Sequence, residues 1–294
     1  MSLFLPVLYL ILGWGVGRYR PGIRRQASTL LTRYTIPFVI TYNVATKFSE
    51  MYVVIIGTVV AMMVMMRVSR WFSPDPLRNL CFFYLNIGWL GLPIASTLFG
   101  DGATTILIAA YVGSSVMGNS LGFMLLSPHT GGSNALLAKK LLISPPVLSV
   151  ALGIVLMPLH STISHYLSPV HEAAKFTMSF LGMAILGIWL SQTRMNLSDF
   201  KHELLEALWR AISWAAIGLV IIYLAWTFHA EAIYNNKATV FLLCFLPPAA
   251  NIIVLETYYV GTGRSARIIS CSTCISILAI ACYGAVTTLM HVTQ

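Results

Sequence analysis

The chain has 294 residues, of which 57% are hydrophobic and 9% are charged, and its formal net charge is +9. Soluble domains carry about 25% charged residues. This composition, with a mean hydropathy of +0.80, therefore excludes an ordinary water-soluble domain and predicts that lipid is the solvent for much of the chain. The cations lie in short clusters between apolar runs, a pattern typical of membrane topology, so no nucleic-acid partner is predicted.

Ten apolar stretches approach or exceed the length needed to cross a bilayer, which is about 20 residues. In chain order they cover residues 2–17, 29–46, 51–71, 77–99, 102–126, 136–158, 173–192, 204–228, 236–260 and 265–290. Backbone polar groups in lipid must be satisfied within their own segment, so each predicted span is a helix. We expect an all-α polytopic membrane protein with ten transmembrane helices.

The cations between the spans predict the orientation of these helices. If the N-terminus lies outside, 15 of the 18 Lys and Arg residues fall on the cytoplasmic side, and only Lys47, Lys175 and Lys237 fall on the outer side. Cytoplasmic loops of membrane proteins carry such an excess of cations. The predicted topology therefore places both termini outside.

The longest inner loop follows the fifth span and divides the chain into two halves. It has the sequence SPHTGGSN at residues 127–134, and its glycines predict a flexible joint. We predict a first five-helix repeat at residues 1–126, a cytoplasmic linker at 127–135 and a second repeat at 136–294. Because five is odd, the second repeat inserts upside down, as in inverted-repeat transporters.

Spans four and nine both contain helix-breaking residues. Span four has the sequence YLNIGWLGLP at residues 84–93, and span nine has FLPPAANIIVLE at residues 245–256. Both spans end in a Gly-x-Gly turn, and superposing Gly100 on Gly261 places the two clusters at matching depth near the bilayer midplane. One such cluster would be explained by a proline kink that eases packing, but a matched pair favours two broken helices that cross at a substrate site.

The broken ends of such helices attract anions, because their backbone N–H groups carry partial positive charge. The predicted substrate-binding residues in the two broken spans are Asn86, Gly88, Gly91, Pro93, Pro247, Pro248 and Asn251. Asn43 and Asn119 either point at this crossing or make hydrogen bonds between helices. Glu256 is the coupling candidate, since a carboxyl inside a span is costly and tends to be functional. The alternative is that Glu256 pairs with Arg264 or Arg267 near the cytoplasmic end.

Two motifs resemble a known family. The sequence NIGWLGLPIASTLFG at residues 86–100 resembles the fourth-span signature of the auxin efflux carrier family, and LPPAANIIVLETYYVG at residues 246–261 resembles its ninth span. The resemblance implies the fold shared with bile-acid sodium symporters, in which a scaffold domain supports a transport domain with two crossed helices. Trp89 and the Tyr258–Tyr259 pair depart from the family pattern.

The resemblance also implies a secondary active transporter of small organic anions, such as mono- or dicarboxylates, that works by alternating access. The long hydrophilic central loop of many plant members is absent, which favours a short bacterial-type permease of the inner membrane. Proton or sodium coupling as in the bile-acid symporters is left open, and a homodimer is expected by analogy only.

Other functional classes find less support in the sequence. No Gly-x-Ser-x-Gly or His-Glu-x-x-His motif lies within a span, so an intramembrane hydrolase is disfavoured and no enzyme activity is predicted. No phosphate-binding Gly-x-x-x-x-Gly-Lys-Ser/Thr loop is present, and neither a cofactor nor a metal site is predicted. A membrane sensor without transport activity remains an alternative.

Overall fold

The fold is helical throughout the part of the chain that the computed structural model describes, which comprises residues 4–127, 143, 145–192 and 196–292. The α-helices are α1 (Phe4–Tyr19), α2 (Ile23–Leu30), α3 (Ile36–Phe72), α4 (Pro76–Phe83), α5 (Leu92–Leu126), α6 (Pro145–Leu156), α7 (His160–Leu190), α8 (Leu197–Thr227), α9 (Glu231–Asn235), α10 (Lys237–Leu242), α11 (Asn251–Tyr259) and α12 (Arg264–Val292). Shorter turns are π-helical at Leu31–Thr35 and Ile87–Gly91 and 3₁₀-helical at Met157–Leu159 and Leu243–Phe245. The predicted all-α class is confirmed.

Several helices are long and apolar enough to cross a membrane. Among the described residues these segments are Tyr52–Phe72, Gly102–Leu126, Val147–Leu190, Leu197–Thr227 and Arg264–Thr287. Large apolar side chains are exposed along α8, including Leu208, Ile212 and Leu219. Water would not tolerate this much contiguous apolar surface, so the chain is a membrane protein. The count of ten spans stays a prediction.

Two of the predicted interhelical loops are helical in the structure. The predicted break between spans two and three lies inside α3, and most of the segment between spans six and seven belongs to α7. The first segment, Lys-Phe-Ser-Glu at 47–50, contains no glycine or proline. Hydropathy marks where a chain leaves the apolar layer, but in both segments the helix continues past that point, in α7 even across Pro169. The predicted linker at 127–135 lies outside the described residues except for Ser127, so the division into two repeats also stays a prediction.

Close packing of α1 against α7 depends on glycines. A Cβ atom at Gly187 would lie 2.1 Å from the carbonyl oxygen of Leu10, and one at Gly13 would lie 2.2 Å from that of Ala184. Small residues allow this approach because helices in lipid associate mainly through van der Waals packing.

The short helices α4 and α11 lie in the interior rather than at the surface. The residues of α11 from Asn251 to Thr257 are all buried, as are six of the eight residues of α4. Helix α11 packs against α2, α5, α7 and α12. The two segments with helix-breaking residues therefore lie at the centre of the fold, where a binding site can be enclosed.

Candidate functional site

The two interrupted segments pair with each other through their backbones. Leu85 and Pro248 form an antiparallel bridge. On either side of it, the Asn86 N–H donates to the Pro247 carbonyl over 2.9 Å, and the Ala249 N–H donates to the Tyr84 carbonyl over 2.8 Å. These two bonds satisfy backbone groups that the broken helices leave without an intrahelical partner, which lipid cannot satisfy.

The local sequence explains why the helix before Pro247 stops at this point. Leu246 is extended, with φ −73° and ψ 141°, because a residue before proline is disfavoured in the helical region. Pro247 and Pro248 then lack the N–H groups that would continue the helix. In the other segment of the pair, α4 ends at an extended Tyr84. The chain becomes helical again at the π-helical turn Ile87–Gly91, which leads into α5.

Tyr84 is the centre of a buried polar cluster that the sequence analysis did not single out. Its hydroxyl oxygen accepts hydrogen bonds from the amide nitrogens of Asn119, over 3.2 Å, and Asn251, over 3.1 Å. The amide oxygens of Asn119 and Asn251 are buried and have no hydrogen-bond partner among the described residues. Unsatisfied buried acceptors are rare in folded proteins and call for an explanation.

Glycines on neighbouring helices make room for the aromatic rings of this cluster. A Cβ atom at Gly118 would lie 2.5 Å from the ring of Tyr84, and one at Gly88 would lie 2.5 Å from the ring of Tyr111. Both distances are far below van der Waals contact. Gly88 was predicted to bind substrate, and in the structure the group that approaches it is an aromatic side chain.

A small cavity lies beside the backbone pairing. It measures about 10 Å³ and is lined by Tyr84, Leu85, Asn86, Gly88, Tyr111, Ser114 and Ala249–Asn251. This volume is about that of one water probe. Helix α11 begins at this cavity and has no side-chain cap at its N-terminus. The site thus combines amide groups, a phenol and a helix N-terminus, and in this conformation it is nearly closed.

The predicted site residues differ in how they are placed relative to the cavity. Asn86, Gly88 and Asn251 line the cavity, and Asn119 reaches it through Tyr84. Gly91 lies behind it, with its N–H bonded to the Asn86 carbonyl over 3.1 Å. Pro247 and Pro248 form the backbone pairing described above, and Pro93 lies at the start of α5. Asn43 is buried in α3 but is not among the residues that line the cavity.

Glu256 holds the start of α12. Its Oε1 accepts from the Thr262 hydroxyl over 2.6 Å and from the Arg264 N–H over 2.7 Å. Its Oε2 accepts from the Ser265 N–H over 2.8 Å and from the Ser265 hydroxyl over 2.5 Å. A carboxylate with four hydrogen bonds at a helix N-terminus stabilises that terminus. This geometry favours a structural role for Glu256 over a coupling role. Its partners are backbone N–H and hydroxyl groups, whereas the sequence predicted pairing with Arg264 or Arg267.

A second buried acid, Glu203 of α8, was missed by the sequence analysis, which named only Glu256 among the acids. Glu203 is 3% exposed. Its Oε1 lies 3.5 Å from Arg78, which also pairs with Glu206, and its Oε2 is 3.4 Å from the Ser272 hydroxyl. Arg210, one helical turn further along α8 from Glu206, is equally buried. These groups link α4, α8 and α12 at one end of the bundle.

The Gly-x-Gly turns share an unusual backbone conformation. Gly100 has a φ of 79° and Gly261 a φ of 77°, and they are the described glycines with positive φ. This left-handed region is open to glycine but strained for other residues. The two positions that the sequence analysis superposed therefore share a positive φ.

Comparison with known proteins gives no family assignment. No model of a known protein family matches this chain, and a search of curated proteins finds no significant match. The resemblance to the auxin efflux carriers therefore depends on the two motifs at residues 86–100 and 246–261.

Proposed function

We propose that this chain is a secondary active transporter of small organic anions, mono- or dicarboxylates, in a bacterial inner membrane. The observation that carries the proposal is the mutual backbone pairing of two broken helices around a cavity lined by buried amides. Irregular backbone at membrane depth is tolerated only where protein buries it or where it lines a cavity. Transporters place their substrate sites at such interruptions.

The geometry of the two breaks supports an inverted repeat of five helices in each half. Leu85 and Pro248 form an antiparallel bridge, so the two breaks run in opposite directions where they meet, which an inverted repeat requires. The matching positive φ values of Gly100 and Gly261 add a second pair of equivalent positions. With ten spans, both termini lie outside.

The polar groups at the crossing suit a carboxylate. Asn119 and Asn251 each direct an amide N–H at the Tyr84 hydroxyl, and a carboxylate that displaced this hydroxyl would accept the same two hydrogen bonds. The uncapped N-terminus of α11 adds favourable partial charge. In this structure the Tyr84 hydroxyl occupies the position that we assign to the anion. Substrate entry then requires this ring to move, as expected for a carrier in a closed state.

Transport by proteoliposomes tests this proposal. Purified protein is reconstituted, and uptake of a radiolabelled carboxylate panel that includes acetate, benzoate, malonate and oxalate is measured. We expect saturable uptake of at least one of these anions and its loss in Asn251→Ala. The control is Asn235→Ala, which changes an exposed asparagine of α9 that does not line the cavity and should transport normally. The absence of uptake for every carboxylate, or normal uptake by Asn251→Ala, would refute the proposal.

A second candidate is coupling of this transport to sodium. The amide oxygens of Asn119 and Asn251 are buried without a hydrogen-bond partner in the described chain, and hard cations prefer oxygen ligands. A cavity of about 10 Å³ accommodates an ion more readily than a carboxylate. Replacement of external Na⁺ by N-methylglucamine should then reduce carboxylate uptake strongly. Uptake that is equal in the two buffers would exclude sodium coupling and leave proton coupling or uniport.

A further inference from the structure

A second, larger cavity lies at the opposite end of α11 from the crossing. Its volume is about 380 Å³, within the range of small-molecule sites, which is about 300–1,000 Å³. Its wall is mainly aromatic and contains one cation. The lining includes Thr32, Arg33, Tyr34, Phe123, Tyr258 and Tyr259.

Arg33 supplies the charge in this cavity. Its Nε donates a hydrogen bond of 2.6 Å to the Tyr258 hydroxyl, and its guanidinium carbon lies 5.7 Å from the centre of the same ring. No ion pair joins Arg33 to an acid among the described residues. Tyr258 therefore orients the guanidinium through Nε, and the two terminal nitrogens are available for bidentate contact with a carboxylate.

The cavity is aligned with the crossing along two helices. Phe123 follows Asn119 by four residues in α5, and Tyr258 follows Asn251 by seven residues in α11. Residues with these spacings lie on one face of a helix. The faces that carry the amides of the crossing therefore continue into the aromatic wall, about 6 Å further along α5 and about 10 Å further along α11.

Two rings close the space between these faces. Phe123 and Tyr259 contact edge to face, with centroids 5.5 Å apart and planes at 76°. The contact joins α5 to α11 on the side of the crossing where both helices end. An aromatic pair of this kind contributes about 0.5–1.5 kcal/mol beyond its buried area. Moving the two rings apart therefore costs little free energy.

We propose that Arg33 and the surrounding aromatic rings form a second binding site, for a monocarboxylate with an apolar body, on the route between the crossing and the side of the membrane that carries the basic loops. The inference deepens the proposed function and rests on it, because the site lies on a transport route only if the chain is a transporter. A single guanidinium in an aromatic wall matches one negative charge joined to an apolar group. The cavity is open at Arg33 and Tyr34, which are both exposed, so the aromatic rings select for an apolar body; a short dicarboxylate such as malonate has a single methylene and covers little of this wall.

Equilibrium binding to the full chain tests the site. Isothermal titration calorimetry in detergent uses benzoate as the probe, with benzamide as its neutral counterpart and malonate as the dicarboxylate. We expect saturable benzoate binding in the wild type, and at least tenfold weaker binding of benzamide and malonate. Arg33→Gln should weaken benzoate binding at least tenfold, which corresponds to about 1.4 kcal/mol. Tyr259→Ala, which removes part of the aromatic wall, should also weaken it.

The matched control is Arg25→Gln. Arg25 is an exposed arginine of α2 that does not line the cavity, so its loss makes the same change in net charge and should leave benzoate binding unchanged. The inference is overturned if the wild type does not bind benzoate, if benzamide binds equally well, or if Arg33→Gln binds benzoate as tightly as Arg25→Gln does.

The crossing variant Asn251→Ala separates this inference from the proposed function. It should lose transport and keep the benzoate binding that Arg33→Gln weakens, because Asn251 does not line the second cavity. If benzoate binding depends on Asn251 and not on Arg33, the second site is wrong while the proposed function stands. If binding depends on Arg33 while no carboxylate is transported, the site stands and the transport proposal fails.

Discussion

Removal of the Tyr84 hydroxyl should destabilise the protein in the absence of substrate and increase the stabilisation that substrate gives. In Tyr84→Phe the amide nitrogens of Asn119 and Asn251 lose the acceptor that they share. A buried donor left without a partner costs about 1–3 kcal/mol. The Asn119 amide also donates to the Ser115 carbonyl over 2.6 Å, which limits its loss, so we expect a total of about 2 kcal/mol.

Thermal unfolding in detergent measures this cost. A loss of about 2 kcal/mol lowers the melting temperature by several degrees in a chain of this size. A carboxylate bound at the crossing supplies the missing acceptor, so the transported anion should raise the melting temperature of Tyr84→Phe more than that of the wild type.

The matched control is Tyr9→Phe. Tyr9 is also buried, and its ring packs against Phe176 and Phe180, but its hydroxyl has no hydrogen bond to the described residues. The control should unfold close to the wild type. An unchanged melting temperature in Tyr84→Phe, or equal stabilisation of Tyr84→Phe and the wild type by the anion, would refute the assignment of Tyr84 as the group that occupies the anion position.

Three further predictions follow from the backbone and the packing. Gly100→Ala and Gly261→Ala should each lower the free energy of unfolding by about 1–2 kcal/mol, because φ is positive at both positions. The control Gly57→Ala, at a position with open space around it, should be neutral. Unfolding free energies that do not distinguish the two variants from the control would contradict this. Gly187→Ala should destabilise by about 1–3 kcal/mol, since its Cβ would lie 2.1 Å from the Leu10 carbonyl oxygen, and a melting temperature equal to that of Gly15→Ala would argue against the close packing of α1 on α7. Glu256→Gln should lower the melting temperature, because its amide nitrogen would face two donors. Transport by this variant should keep the wild-type pH dependence. A lost pH dependence with normal stability would instead support the coupling role of Glu256.

The sequence contained the information needed to find the broken helices, because proline and glycine act locally on the backbone. Pro247, Pro248 and the Gly-x-Gly turns affect the chain within one or two residues, so their effects are visible in a single segment. The depth estimate for Asn86 and Asn251 needed only the helical rise. Both side chains are buried at the point where the two segments meet.

The role of Tyr84 could not be predicted in the same way. Its site depends on Gly118, which lies 34 residues further along, and on Asn251, which lies 167 residues away. A tyrosine in an apolar run resembles many interfacial tyrosines. Contacts between distant segments decide which one is buried in a polar cluster.

The burial of Glu203 was missed for a related reason. Hydropathy placed it at the end of a span, where a charged side chain reaches water. Its neighbours Arg78 and Ser272 come from helices 125 and 69 residues away. Only the packing of α4 and α12 against this end of α8 encloses the carboxylate.

The register of the proposed repeat also required the structure. Superposition of Gly100 on Gly261 aligns Asn86 with Pro247, whereas exchange about the Leu85–Pro248 bridge relates Asn86 to Ala249. Asn86 precedes Gly100 by 14 residues, and Ala249 precedes Gly261 by 12. The longer segment contains the π-helical turn Ile87–Gly91, and such turns accommodate inserted residues in a helix.

The access of water to the crossing from each side of the membrane is the most direct measurement of alternating access. Ser114 lines the crossing cavity and is buried, so Ser114→Cys in a background that lacks the exposed Cys274 and Cys282 places a thiol at the site. We expect a membrane-impermeant thiol reagent to modify it when applied from either side of reconstituted vesicles, and the transported carboxylate to slow both reactions. Modification from only one side, or from neither side, in vesicles that still transport the anion would contradict a carrier whose site lies at the crossed helices.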